Sequence, residues 1–293
     1  MNSVTFHNGM THASYGGILP PEPDTWDFFM TNPNGDVHIF EDTFLPQYIN
    51  HDDKIKIAMI IEVPEIYDHG KGFNPQMFHP HQWLKENHHH FDYVFSAYRM
   101  WESIVGPEKY HWTLAGDCRI PKDQQGLYEK ERVLSAIASV KLWTTGHQMR
   151  HGAIGRNRGR LDVYGSGYNN IINDHGPFGK LIALAPYCFT LVVANSKVDD
   201  YFSEQLTDAL IVGTVPIYWG THNIKNHFNM DGIIQFETLE ELDKIIPTLT
   251  MERYHTMLPA IEDNLKRAQL LGNPMDWLYR NKKTFLETVT KKV

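Results

Sequence analysis

Residues 187–220 read YCFTLVVANSKVDDYFSEQLTDALIVGTVPIYWG, and this stretch decides the fold. Cys188–Ala194 is a short, nearly continuous apolar run, the pattern of a strand buried on both faces. A polar loop follows. Asp200 stands where a helix N-cap is expected, and Phe202, Leu206, Ala209, Leu210 and Gly213 then recur at helical spacing, with Gly213 closing the helix. Val215–Trp219 is the next strand, ending at Gly220. Together these segments predict a strand-helix-strand unit whose first loop lies at a strand's carboxyl end, where open α/β sheets bind ligands.

Working outward, residues 1 to about 35 are rich in Gly, Pro, Asn and His and read as irregular structure. Ile55–Ile61 is an apolar strand broken by Glu62-Val63-Pro64-Glu65, Pro80–Asn87 is a short helix, and Phe91–Ser96 is a second strand. A polar stretch, residues 115–130, marks a hinge, and Arg132–Leu142 reads as the strand that opens a second domain. Residues 150–167 form a basic, Gly-rich segment before a helical stretch around Lys180–Leu184. Leu239–Thr248, Arg253–Leu271 and Trp277–Thr288 carry helical patterns. The expected class is α/β with two Rossmann-like domains facing a cleft. Residues 1–125 form an N-terminal domain, 126–272 a nucleotide-binding domain and 273–293 a C-terminal helix.

The 293 residues include 42% hydrophobic and 12% aromatic residues, enough for two cores. The balance of 27 basic against 35 acidic side chains, with no basic stripe, argues against nucleic acid as a partner. Cys118 and Cys188 are far apart, and Cys188 falls in a buried strand, so a disulfide framework is not expected. No run reaches the roughly 18 apolar residues of a membrane span, and the N-terminus lacks a signal-peptide layout. The expectation is a soluble, cytoplasmic protein.

The pattern ANSxxDDYxSEQLxDALxxGTVPIYWG over residues 194–220 resembles the donor-binding motif of the family 10 glycosyltransferases, the α-1,3/4-fucosyltransferases, roughly ENSxxxDYVTEKxxDAxxxxxxPIYWG. Weaker similarity extends over residues 57–250. Ala194 replaces the motif's first Glu, and Gln205 replaces a Lys that contacts phosphate in that family. The resemblance implies a metal-independent, inverting transferase of the GT-B type. It would need no cofactor and would move a sugar from a nucleotide sugar to a glycan hydroxyl. GDP-fucose is the first expectation for the donor. The two departures leave open a UDP-sugar such as UDP-xylose, or an inactive carbohydrate- or nucleotide-binding module. Secretory members of the family carry a membrane anchor, so its lack suggests a bacterial or viral type of enzyme, or a trimmed chain.

The resemblance also assigns residues. Glu204 matches the Glu that contacts the donor sugar, and Asn195 and Ser196 match donor contacts, though all three also suit a helix start or turn. Arg150 resembles the diphosphate-pairing Arg, since a guanidinium fork can hold phosphate. Arg156, Arg158, Arg160 and Lys225 are candidates to replace the cation lost at Gln205. Glu62 is similar to the carboxylate that takes the acceptor's proton, with Glu65 in reserve. Tyr218 could stack on the base, although such aromatics more often pack. His88-His89-His90 is read as a loop, because successive residues cannot all face one ion. Gly165-Ser166-Gly167 alone is a weak phosphate-loop signal. No metal ligand is assigned, and no Asp-x-Asp occurs.

Overall fold

The computed structural model describes residues 4–7, 35–51, 53–73, 78–116, 118–168 and 177–290. They form two compact units, one holding residues up to Ala115 and again from Asn273, the other Gly116–Gly272. The sequence divides the chain at 125/126, whereas the units divide at 115/116, and residues 273–293 return to the first unit.

In the first unit β1 (Val4–His7), β2 (Val37–Glu41), β3 (Ile55–Ile60), β4 (Tyr93–Ser96) and β5 (Tyr110–Trp112) lie side by side in chain order, all parallel. Helices α1 (Pro64–Phe73), α2 (Pro80–Asn87) and α3 (Met100–Val105) lie in the connections. Pro64 opens α1, where a missing N–H costs no hydrogen bond; the sequence marks it only as a strand breaker. The irregular N-terminal reading is corrected at Val4–His7. That strand has four residues and alternates buried with half-buried positions, too short to give a periodic signal.

Right-handed crossovers between parallel strands in sequential order pack on the same face of a sheet. The other face is covered by the C-terminal helix, Pro274–Thr290. Met275, Leu278, Leu286 and Val289 of that helix pack on Val4, Phe6, Val37, Ile39, Ile57, Met59 and Phe95.

In the second unit β6 (Arg132–Ile137), β7 (Asp162–Tyr164), β8 (Tyr187–Val193), β9 (Val215–Trp219) and β10 (Ile234–Gln235) are parallel in the order β10-β9-β8-β6-β7. Helices α4 (Thr145–Arg156), α5 (Pro177–Leu184), α6 (Glu204–Ile211), α7 (Leu239–Ile245), α8 (Met251–Thr256) and α9 (Leu258–Leu271) complete it. The chain leaves β6 toward one edge and β8 toward the other, so the switch point lies between the carboxyl ends of β6 and β8. The predicted strand through Leu142 stops at Ile137, and the predicted Arg253–Leu271 helix is two helices, because Pro259 opens a new first turn.

Lys130, buried before β6, donates to the carbonyls of Ala185 at 2.9 Å and Val212 at 3.0 Å, and to Thr214 Oγ1 at 3.0 Å. Burial pulls its pKa down to about 7, but these partners accept all the protons that an ammonium offers. Both cysteines are buried and free. Among the described residues no helix is long and apolar enough to cross a membrane.

The C-terminal helix is the sole described cover of one sheet face, so its core contacts should dominate the first unit's stability. Leu278, fully buried, is the probe. Leu278→Ala is expected to cost about 2–5 kcal/mol, read as a lowered urea midpoint.

Candidate functional site

The switch point is built by a close backbone crossing. Thr144 caps α4 and forms a reciprocal capping box with His147, which fixes where the helix begins. Gly146 then donates its N–H to the Asn195 carbonyl at 3.1 Å. A Cβ on Gly146 would lie 2.7 Å from that oxygen and would collide with the Ala194 carbonyl oxygen. Only glycine lets the start of α4 touch the loop after β8.

One and a half turns into α4, Arg150 is buried, with 4% of its surface exposed. Read from sequence as the start of a basic, Gly-rich segment, Arg150 is a helical residue. Its Nη2 donates to the carbonyl of Val193, the last residue of β8. Its Nε is buried and meets no acceptor among the described residues. Burial lowers its pKa to about 10, opposed chiefly by the charge of Glu204. Among the described residues no carboxylate comes within ion-pair distance of this buried cation.

Glu204 opens α6. Ser203 is the residue before it at the N-cap, which corrects the expectation at Asp200. Asp200 instead sits in the left-handed region at φ 62°, a conformation Asp tolerates better than most residues. Its N–H donates to Thr221 Oγ1 at 3.1 Å and Asn223 Oδ1 at 2.8 Å, and its carboxylate accepts from Asn223 Nδ2 at 2.9 Å and lies 3.1 Å from His227 Nε2. Asp200 thus ties the loop after β8 to the loop after β9.

A cavity of about 180 Å³ lies beside α6, with Lys180, Glu204, Gln205 and Asp208 on its polar wall and Ile137, Leu184, Leu191 and Val192 on its apolar wall. Lys180 lies 2.5 Å from Asp208 Oδ2 and 3.6 Å from Glu204 Oε1. Burial opposes charge on all of these groups. Lys180 is nevertheless held above its usual range by Asp208 and Glu204, and Glu204 below its own by Lys180 and Arg119. Burial, aided by Glu204, pushes Asp208 up. The segment before β6 closes this wall. Arg119 donates its backbone N–H to Asp208 Oδ1 at 2.6 Å, and a Cβ on Gly116 would run into the backbone of Ser203 and Glu204.

The structure therefore gathers Arg150, Asn195, Ser196, Glu204 and Gln205 around the carboxyl end of β8. It does not gather the others. Helix α4 carries the chain back about 18 Å toward the strands' amino ends, so Arg156, Arg158 and Arg160 lie at the far end of the sheet. Arg156 is paired there with Glu240 at 2.6 Å and Asp243 at 2.9 Å. Lys225 is exposed in a short turn after β9. Tyr218 is 1% exposed, and its hydroxyl accepts the Thr221 N–H at 3.2 Å, so it packs and cannot stack on a ligand. Lys180, Asp208 and Arg119 were not singled out from sequence, and Asp200 was read there only as a helix cap. A lone Lys on the apolar PFGKLIAL helix, facing the Asp of the motif, was the one available signal.

In the first unit Glu62 follows β3, half-buried, with its Oε1 accepting the Val63 N–H at 2.8 Å. The backbone carbonyl of Glu62 lies 2.8 Å from His81 Nε2. Asp42, also left-handed at φ 44°, accepts from the Ile61 N–H at 3.4 Å. Desolvation, then the charges of Glu41 and Glu62, push its carboxyl well above the usual range. Glu65 lies in the first turn of α1. His88, His89 and His90 form a short turn, with the His90 ring stacked 4.9 Å from Tyr48.

Gly146→Ala tests the crossing. It should displace the loop after β8, lowering stability by about 1–3 kcal/mol and weakening any ligand held at that strand end. Thermal unfolding of the two proteins with and without nucleotide measures both effects.

The model of "Glycosyltransferase family 10 (fucosyltransferase) C-term" matches residues 130–256. An α-(1,4)-fucosyltransferase of Arabidopsis thaliana is 30% identical over 131 residues, 40% of this chain and 30% of that protein. The α-(1,3)-fucosyltransferase FucT of Helicobacter pylori is 28% identical over 95 residues, 32% of this chain and 18% of that one. The chain thus spans under a third of each of these curated relatives. In fold it is similar to a crystal structure of α1,3-fucosyltransferase with GDP, at a TM-score of 0.56 and 14% identity over 97% of this chain and 90% of that one. A pneumococcal O-GlcNAc transferase GtfA bound to UDP and GlcNAc is alike at 0.51 and 11% identity, over 86% and 57% of the chains. These are glycosyltransferases of the GT-B architecture, and the parallel sheets of this chain share it. Over residues 130–256 the chain is thus similar to the C-terminal domain of the family 10 glycosyltransferases.

Proposed function

We propose that this protein is an inverting glycosyltransferase that moves a sugar, fucose in the first instance, from a guanosine diphosphate sugar to a glycan hydroxyl. One observation carries the reading: the buried guanidinium of Arg150 at the switch point, with no ion-pair partner among the described residues, beside a region that resembles the family 10 donor motif. A buried cation of this kind costs several kcal/mol unless an anion completes it, and a diphosphate is the anion that this architecture takes at a strand's carboxyl end. Lys180 is the other cation near the motif, but Glu204 and Asp208 already neutralise it. Arg150 is therefore the group that compensates for Gln205.

In this reading the acceptor oxygen attacks the anomeric carbon while the bond from that carbon to the phosphate oxygen breaks. The nucleoside diphosphate leaves with the electron pair, and Arg150 offsets its charge. Glu204, kept ionised by Lys180 and Arg119, contacts the sugar and favours its developing positive charge. Glu62 receives the acceptor's proton.

The departures at Ala194 and Gln205 make the donor the first thing to measure. GDP, and GDP-fucose more strongly, should raise the melting temperature of the wild-type chain. Arg150→Gln should weaken GDP at least about tenfold while leaving guanosine nearly unaffected, as expected for a charge-assisted contact worth roughly 1.5–3 kcal/mol. Stabilisation by UDP instead of GDP would move the donor to a UDP-sugar. Binding without transfer or donor hydrolysis would indicate an inactive binding module.

Glu62→Gln preserves shape and removes basicity. Turnover should fall roughly 10²–10⁴-fold with donor affinity unchanged. A large loss in Glu65→Gln alone would move the base there.

A further inference from the structure

We propose that His7, His38 and His51 form a binding site for one divalent first-row transition ion of the zinc type, in the first unit. His7 ends β1, His38 lies in β2, and His51 follows the turn Asp42–Asn50. Each offers one ring nitrogen, and these nitrogens all lie within 4.8 Å of one another. Parallel pairing of β1 with β2 brings the first two together, and the turn returns the chain to supply the third.

The hydrogen bonds set the direction of the lone pairs. His38 Nε2 lies 2.9 Å from the Gly35 carbonyl, which can only accept, so Nε2 carries the proton and Nδ1 presents a lone pair. That Nδ1 faces His7 Nε2 at 2.8 Å. An imidazole tied through one nitrogen to a backbone carbonyl, with the other free to ligate, is the arrangement that holds histidine ligands to metals. Without an ion, His7 Nε2–H satisfies the His38 lone pair. With one, His7 shifts its proton to Nδ1, and both lone pairs turn to the metal. Tetrahedral ligation at about 2.0–2.1 Å places ligand nitrogens about 3.4 Å apart. His7 and His38 must then separate by roughly half an ångström, and His51 must close in.

Ring packing already orients the set. The His7 ring stacks on Phe40 with centroids 4.4 Å apart, and the His38 and His51 centroids are 4.2 Å apart. Imidazole ligands suit zinc, cobalt, nickel or copper, whereas magnesium and calcium take oxygen. The site is therefore of a different kind from a phosphate-bridging cation and plays no part in the transfer step proposed above.

The test uses the full chain, stripped with a chelator and titrated with Zn²⁺ and Co²⁺. One ion per chain is expected, with the intense visible absorption of tetrahedral Co²⁺. Zinc-edge X-ray absorption should find three imidazole nitrogens at about 2.0 Å. His51→Gln should weaken binding about 100-fold or more with the far-ultraviolet circular dichroism unchanged. The histidine run outside this site serves as control: the triple variant His88→Asn, His89→Asn, His90→Asn should bind as the wild type does. No stoichiometric ion, fewer than three imidazoles, unchanged affinity in His51→Gln or loss in the triple variant would each overturn the site. The absorption measurement needs only wild-type protein, so a variant that fails to fold does not shield the proposal.

Discussion

The arrangement of the second unit depends on one buried cation. Desolvating a guanidinium costs several kcal/mol, and Arg150 recovers part of that through the Val193 carbonyl. Helix α4 must therefore lie tight against the end of β8, and it can do so only because Gly146 has no Cβ to strike the Ala194 carbonyl. The same contact that makes the fold expensive leaves a positive group facing the switch point without a described anion.

Around that cation the loops are held by polar contacts as well as by packing. Asp200 joins the loops after β8 and β9, and the Lys180, Glu204 and Asp208 cluster joins α5 to α6. A cluster with one cation and two carboxylates has no spare positive charge, so it can position Glu204 but cannot replace a phosphate-binding lysine. The magnitudes separate the roles of Arg150 and Lys180 where residue type alone does not.

The first unit solves a different problem. A sheet of parallel strands in chain order has all its crossovers on one side, so its other face needs cover from elsewhere in the chain. The C-terminal helix provides it. That face is apolar along β1, β2, β3 and β4, and the helix's buried positions match it. Residues 273–293 therefore belong to the first unit although 157 residues of the second unit, Gly116–Gly272, intervene.

By itself the sequence determined the strand-helix-strand unit of residues 187–220, the α/β class and the family motif. All of these rest on local signals: a continuous apolar run, helical spacing and an ungapped motif. It could not place Asp200, because a residue before a helix reads as a cap whether its carboxylate faces that helix or the next loop. It could not show that Arg150 is buried beside β8 while Arg156, Arg158 and Arg160 are carried away from it, since that follows only from the helix Thr145–Arg156. Lys180, the histidine cluster and the partner of the last helix were equally beyond reach. Each is a meeting of side chains from separate strands and helices, and such a meeting exists only once the parallel sheets have assembled.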